Sequence, residues 1–265
     1  MSGSDTESDS DPLALSSAAL AALQEFVSER GIVVAERSTD VRVAIQKALD
    51  TEPQDESFEF TFGANDEHNA PIVLRLRGLR RDIGQTLEST GLTLWRAGDF
   101  LSTFLYEHRR RFAGKSILEL GSGLGLSGIL ASYLTEKPVV ITDGDERTIE
   151  QLVANCRLNN VEQRVQCRKL LWGVDLDQIR DTFDVVLGAD VIYEQEHVLP
   201  LFETAKYLLK PGRCSGAEGK AASEFLLAYT KRNVSIDYVL ATAKGVGFEW
   251  EEPTTDEGIY TFRLV

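Results

Sequence analysis

A parallel α/β sheet covered by helices on both faces is the fold class this sequence predicts, and three observations predict it. From about residue 91 onward, short and near-continuous apolar runs alternate with stretches of helical period. That is the pattern of strands buried on both sides by crossover helices. A glycine-rich loop, Gly121-Ser-Gly123-Leu-Gly125, sits where one such strand hands over to a helix. Hydrophobic residues make up 43% of the 265, so one large domain can bury a real core.

Residues 1–12, MSGSDTESDSDP, are rich in Ser, Asp and Glu. They are expected to form a disordered acidic tail, because too little apolar surface is present to offset ordering. Ala19, Leu23, Phe26 and Val27 then recur on one helical face, with Gly31 where a C-cap falls. Ser57–Phe62 alternates as a strand through Phe58, Phe60 and Phe62, and Pro71–Leu79 alternates through Ile72, Leu74 and Leu76. The turn-rich Gly63-Ala64-Asn65-Asp66 between them makes a hairpin. Residues 13–90 thus read as an N-terminal helical segment and hairpin, and 91–265 as the main domain. Within it, strands are expected at Ser116–Leu120, Val139–Thr142, Val165–Leu171, Phe183–Gly188, Phe225–Tyr229 and Ile259–Leu264. Helices are expected at Leu124–Leu134, Glu146–Leu158, His197–Leu209 and Ser235–Lys244.

Composition narrows the function classes. No apolar run reaches the roughly 18–20 residues that span a bilayer, and the N-terminus has no basic-then-apolar signal pattern. A cytoplasmic location is expected, with the nucleus also open, and no membrane partner. Cys156, Cys167 and Cys214 are odd in number and widely spaced, which argues against a disulfide framework and a metal site. The formal charge is −14; nucleic-acid affinity depends on cations meeting phosphates, so no nucleic-acid partner is expected. Arg109-Arg110-Arg111 is the one compact basic run, read as solvating a helix end. Acidic balance favours a basic or lysine-bearing partner, and the chain is expected to act as a monomer.

Strand, glycine loop, helix, strand and then Asp143 make an adenosine-binding geometry. Glycines let the backbone turn tightly and let a ligand approach, and an acid ending the next strand can accept both ribose hydroxyls. A rival is present, since Gly123-Leu-Gly125-Leu-Ser-Gly128 is a literal dinucleotide fingerprint of the kind that holds a pyrophosphate at a helix N-terminus. Glu119 counts against it. An acid pointing at the loop repels phosphate but suits the amino group of a methionyl moiety.

Four segments go further: Gly91-Leu-Thr-Leu-Trp95, Glu119-Leu-Gly-Ser-Gly-Leu-Gly125, Leu170-Leu-Trp172-Gly173 and Ala189-Asp190-Val-Ile-Tyr193. Over roughly residues 58–265 they resemble the seven-β-strand S-adenosylmethionine-dependent methyltransferases, and more narrowly the family 16 branch of protein-lysine methyltransferases. The resemblance implies a Rossmann-like, doubly wound, seven-stranded and mostly parallel sheet, with S-adenosyl-L-methionine as cofactor. It implies that Trp95 packs on the methionine end, and that Glu119 with the Gly121-Ser122-Gly123 backbone holds the amine and carboxylate. Asp143 would hold the ribose, Trp172 would cover the adenine, and the small Ala189 would lie against the cofactor. Arg96 departs from the family pattern, where a short acidic or small residue commonly follows the tryptophan.

Methyltransferases acting on planar nitrogens usually carry Asn-Pro-Pro-Tyr where this chain has Asp190-Val-Ile-Tyr193. A carboxylate there suits an ammonium, and Tyr193 could cap the same nitrogen. In the resembling family this aspartate lies at the target lysine. The bland alternative for Asp190 is an N-cap for a helix starting near Glu194. The expected activity is therefore lysine N-methylation of a cytosolic protein such as a translation elongation factor or chaperone. Leu15–Phe26 also resembles the start of an elongation-factor lysine methyltransferase. Arginine, histidine or a small amine as acceptor, and a cofactor-binding interaction module without turnover, are the competing readings.

Overall fold

The computed structural model describes residues 55–66, 69–79, 90–174, 176–210, 223–255 and 257–265. The tail at 1–12, the helix around 19–27 and Cys214 lie outside them. The first described elements are the hairpin strands β1 (Asp55–Phe62) and β2 (Ile72–Leu79), paired antiparallel with Phe58 opposite Leu76 and Phe60 opposite Leu74. The main sheet comprises β3 (Ile117–Leu120), β4 (Val139–Asp143), β5 (Val165–Lys169), β6 (Val185–Ala189), β7 (Glu224–Tyr229), β8 (Phe248–Glu251) and β9 (Gly258–Leu264). Between its strands run α2 (Leu126–Leu134), α3 (Glu146–Leu158), α4 (Val198–Leu208) and α5 (Ile236–Val246), with α1 (Arg96–Glu107) preceding them.

The strand order is β5-β4-β3-β6-β7-β9-β8. Neighbours from β5 to β7 are parallel, and β9 runs antiparallel to both β7 and β8. The seven-stranded, mostly parallel, doubly wound sheet is therefore as expected. The chain winds outward from β3 to β5, then returns to place β6 on the other side of β3. Connections leaving β3 and β6 diverge to opposite faces, which opens a crevice beyond their C-terminal ends.

Alternation along each strand divides the core. Ile117, Ile141, Leu187 and Leu226 pack with α1–α3 and with Leu74 and Leu76 of the hairpin. Leu118, Val140, Val186 and Leu227 face α4 and α5. An aromatic cluster anchors the second face: Phe202 meets Phe225, Phe248 and Phe262 with ring centroids 5.7, 5.6 and 5.0 Å away. The hairpin is tied down by two asparagines one turn apart, Asn155 in the last turn of α3 and Asn159 at its C-cap. Asn155 and Asn159 each accept a β2 backbone N–H, from Arg77 and Arg75, and donate back to the same residues' carbonyls. Two amide side chains thus complete the ladder of an edge strand that a third strand would otherwise pair.

Three elements differ from expectation. Helix α1 was not anticipated, although Ala97, Leu101 and Leu105 recur every four residues and are buried. Strand β8 was also unforeseen, its four residues being too short to signal alternation. The expected strand to Leu171 ends at Lys169, because after the Leu170 N–H bonds Asp143 the chain turns to carry Trp172 over the crevice. Of the arginine run, Arg110 is exposed as expected, while its two neighbours form ion pairs. Arg109 pairs with Asp66, and Arg111 with Glu224, through the 3₁₀ turn Arg109–Phe112 that follows α1. Cys156 and Cys167 are free thiols, yet their sulfurs are 3.7 Å apart, a contact that their spacing did not reveal. Among the described residues, no helix is long and apolar enough to cross a membrane.

Candidate active site

The crevice between β3 and β6 holds a cavity of about 520 Å³, within the ~300–1,000 Å³ of small-molecule sites. Eight of the ten residues singled out from sequence line it: Trp95, Gly121, Gly123, Asp143, Trp172, Ala189, Asp190 and Tyr193. A narrow lobe shares the walls Trp95, Gly121, Gly123 and Ala189, and reaches the other two, Glu119 and Ser122.

The loop after β3 is built for close approach. Gly121 has φ +62°, and a Cβ there would sit 2.7 Å from Val191 and 3.2 Å from the Trp172 ring. Only glycine satisfies both conditions. Ser122 pins the loop to β4, its N–H donating to the Thr142 carbonyl and its Oγ accepting the Thr142 N–H. The Glu119 carboxylate lies beneath the loop and is 2% exposed. It accepts the N–H of Gly128 at 3.0 Å, supplying the α2 N-terminus with an acceptor that no cap side chain provides. Gly128, last glycine of the dinucleotide-like pattern, is thereby a packing residue, since a Cβ there would meet Ile141 and Glu119. Burial pushes the Glu119 carboxyl up to about 7.

Asp143 ends β4. Its carboxylate accepts the N–H groups of Gly123 and Asp145, both at 3.1 Å. Desolvation raises its pKa, and those backbone bonds oppose the rise. Trp172 stands edge-on to His197, with centroids 6.4 Å apart, and His197 in turn meets Tyr193 at 5.6 Å. Burial, Glu194 and Asp143 together hold the Tyr193 phenol above its usual range. Trp95 is N-terminal to α1, its indole N–H donating to the Thr90 carbonyl. Arg96 is exposed and lies 5.0 Å over the Phe100 ring.

Asp190 is where the structure departs from the sequence reading. It follows β6 with φ +58°, a left-handed conformation uncommon outside glycine. It does not cap a helix, because Glu194 precedes the 3₁₀ turn Gln195–His197. The expectation was a carboxylate open to an ammonium. Instead Arg232 donates to both oxygens, Nε to Oδ1 and Nη2 to Oδ2 at 2.7 Å each, and Thr230 donates to Oδ1 at 3.0 Å. Arg232 also stacks over Trp95 at 4.4 Å. Sequence reading missed Arg232 and Thr230 because they lie about forty positions away along the chain. Their signal is positional: β7 neighbours β6, so residues following β7 converge on those following β6.

The donor set fits S-adenosyl-L-methionine: a cradle that a Cβ would fill, a buried acid for an ammonium, an acid for a diol and aromatic faces for an adenine. Fold and site together have the architecture of the Rossmann-like methyltransferases. The lysine methyltransferase family matches residues 81–240, more than half of the chain, and the chain belongs to that family. S-adenosyl-L-methionine is accordingly its cofactor. The chain is 31% identical over 170 residues to a calmodulin-lysine N-methyltransferase of Arabidopsis thaliana, covering 62% of this chain and 53% of that protein. It is 29% identical over 190 residues to the human protein-lysine N-methyltransferase EEF2KMT, covering 66% and 56%. It is 33% identical over 145 residues to the histone-arginine methyltransferase METTL23 of Rattus norvegicus, covering 53% and 61%. The chain thus spans little more than half the length of these relatives.

Proposed function

We propose that this protein transfers a methyl group to the side-chain amine of a lysine on another protein. The observation that carries this is Asp190, a carboxylate at the end of β6 lining the same cavity as the glycine loop. A carboxylate has about four lone-pair sites. Arg232 and Thr230 occupy three, which leaves one on Oδ2 for an amine N–H. Leu171, Val174 and Tyr193 are exposed apolar walls of the same cavity, suited to an aliphatic lysine stem.

When bound, S-adenosyl-L-methionine supplies an electrophilic methyl carbon on a sulfonium. In this reading Glu119 holds its ammonium, Asp143 its ribose, and Trp172 its adenine face. Asp190 orients the acceptor nitrogen for in-line attack, the alignment that gives positioning its catalytic value. The acidic balance of the chain favours a basic substrate surface, and a cytosolic elongation factor or chaperone is the class we propose. Arginine is the second reading, supported by the similarity to a histone-arginine methyltransferase.

The test is incubation with methyl-tritiated cofactor and a lysate of cells lacking the protein, followed by acid hydrolysis and amino-acid analysis. Label in methyllysine is the expected result. Label in methylarginine or methylhistidine would overturn the lysine assignment.

A further inference from the structure

The Asp190–Arg232 pair bears on a difficulty in lysine methylation. Forming the N–C bond uses the nitrogen lone pair, while the C–S bond breaks with its electrons going to sulfur. The acceptor must therefore have given up a proton to solvent water before it enters, although a free lysine amine titrates at about 10.4. A lone carboxylate at the acceptor position would stabilise the ammonium and oppose that loss.

In this structure the carboxylate is not alone. The Asp190 side chain is 3% exposed, and its bidentate partner Arg232 is 30% exposed. Arg232 is itself fixed by the Trp95 face. The charged and titratable groups that line the cavity are Asp143, Asp145, Asp190, Tyr193, His197 and Arg232, with Glu194 beside Tyr193 and Glu119 in the narrow lobe. Among these described residues Arg232 is the permanent cation, and it sits on Asp190, the carboxylate that the lysine reading assigns to the acceptor. Arginine keeps its charge at any working pH, and its fork matches a carboxylate bidentately.

We propose that Arg232 is a positioning residue that cancels the charge of Asp190, so that the acceptor pocket takes a neutral amine and not an ammonium. Asp190 then serves as a hydrogen-bond acceptor of fixed direction. The remaining Oδ2 lone pair receives one N–H, and the nitrogen lone pair is left for the methyl carbon. This rests on the lysine reading of the preceding subsection.

The test needs no substrate protein. Sinefungin carries an amine in place of the transferable methyl and presents an ammonium at the methyl position, facing the acceptor site. S-adenosylhomocysteine is neutral there. Dissociation constants for both are measured by calorimetry at pH 7.5 for wild type, Arg232→Lys and Arg232→Gln. Wild type and Arg232→Lys should show similar affinity ratios, whereas Arg232→Gln unmasks Asp190 and should shift the ratio at least tenfold toward sinefungin. A purely structural role for Arg232 would weaken both ligands alike and leave the ratio unmoved. That outcome overturns the charge role and leaves the lysine reading intact. Label in methylarginine or methylhistidine in the hydrolysate overturns the lysine reading, and this role with it, whatever the ratio.

Discussion

Replacing Glu119 with glutamine removes one charge from the narrow lobe while keeping an oxygen for the Gly128 N–H. The wild-type carboxyl titrates near 7 because it is fully buried, so about nine-tenths of it is protonated at pH 6 and about one-tenth at pH 8. A cofactor ammonium brought beside it favours the ionised form and returns its pKa toward the ordinary 4.5. Binding at pH 6 should then release about 0.9 proton, and affinity should rise about tenfold between pH 6 and pH 8. Calorimetry in buffers of different ionisation enthalpy measures both quantities. Glu119→Gln should release almost none from this position and flatten the affinity profile. The free protein carries the mirror-image signature. Its raised pKa means that the folded state holds a proton that the unfolded chain has lost. This contribution to stability is fully present below about 4.5 and is lost as pH rises through about 7, an effect on the order of 3 kcal/mol. Glu119→Gln should remove that slope. Proton release unchanged in the variant would show that Glu119 does not meet the cofactor amine.

Asp143→Ala should weaken cofactor binding by about 2 kcal/mol, roughly 30-fold, as the loss of a charge-assisted hydrogen-bond pair; unchanged calorimetric affinity in a folded variant would take Asp143 out of the site. Asp190→Asn should lower kcat and kcat/KM together by about 10²-fold with cofactor affinity nearly intact, because an amide NH2 in place of Oδ2 faces the Arg232 donor and cannot accept the amine N–H; near wild-type kcat on a mapped lysine would refute its role. Asn155→Ala and Asn159→Ala should each cost about 1 kcal/mol and raise amide exchange at Arg77 and Arg75 respectively, whose N–H groups they hold. Phe202→Ala should destabilise the protein by about 3–5 kcal/mol in urea titration, since its ring meets three others in the core.

The alternation of the parallel strands β3 to β7 with their helices, and the place of the cofactor loop, were legible in the sequence alone, whereas α1 and β8 were not. Continuous apolar strands such as Ile117–Leu120 and Val185–Ala189 can be buried on both faces only in a helix-covered parallel sheet. Glycines at Gly121 and Gly123 announce a backbone that turns where side chains do not fit. These signals are local, and local chemistry is what a sequence displays directly. Tertiary structure decided what each acid does. Glu119 is buried against the Gly128 N–H at the narrow lobe, whereas Asp143 lines the wide cavity and accepts the Gly123 and Asp145 N–H groups. Asp190 reads as a free anion until β7 is laid beside β6 and brings Arg232 onto both its oxygens. Charge at a site is a sum over neighbours in space, and a partner more than forty residues away enters that sum only when the sheet is assembled.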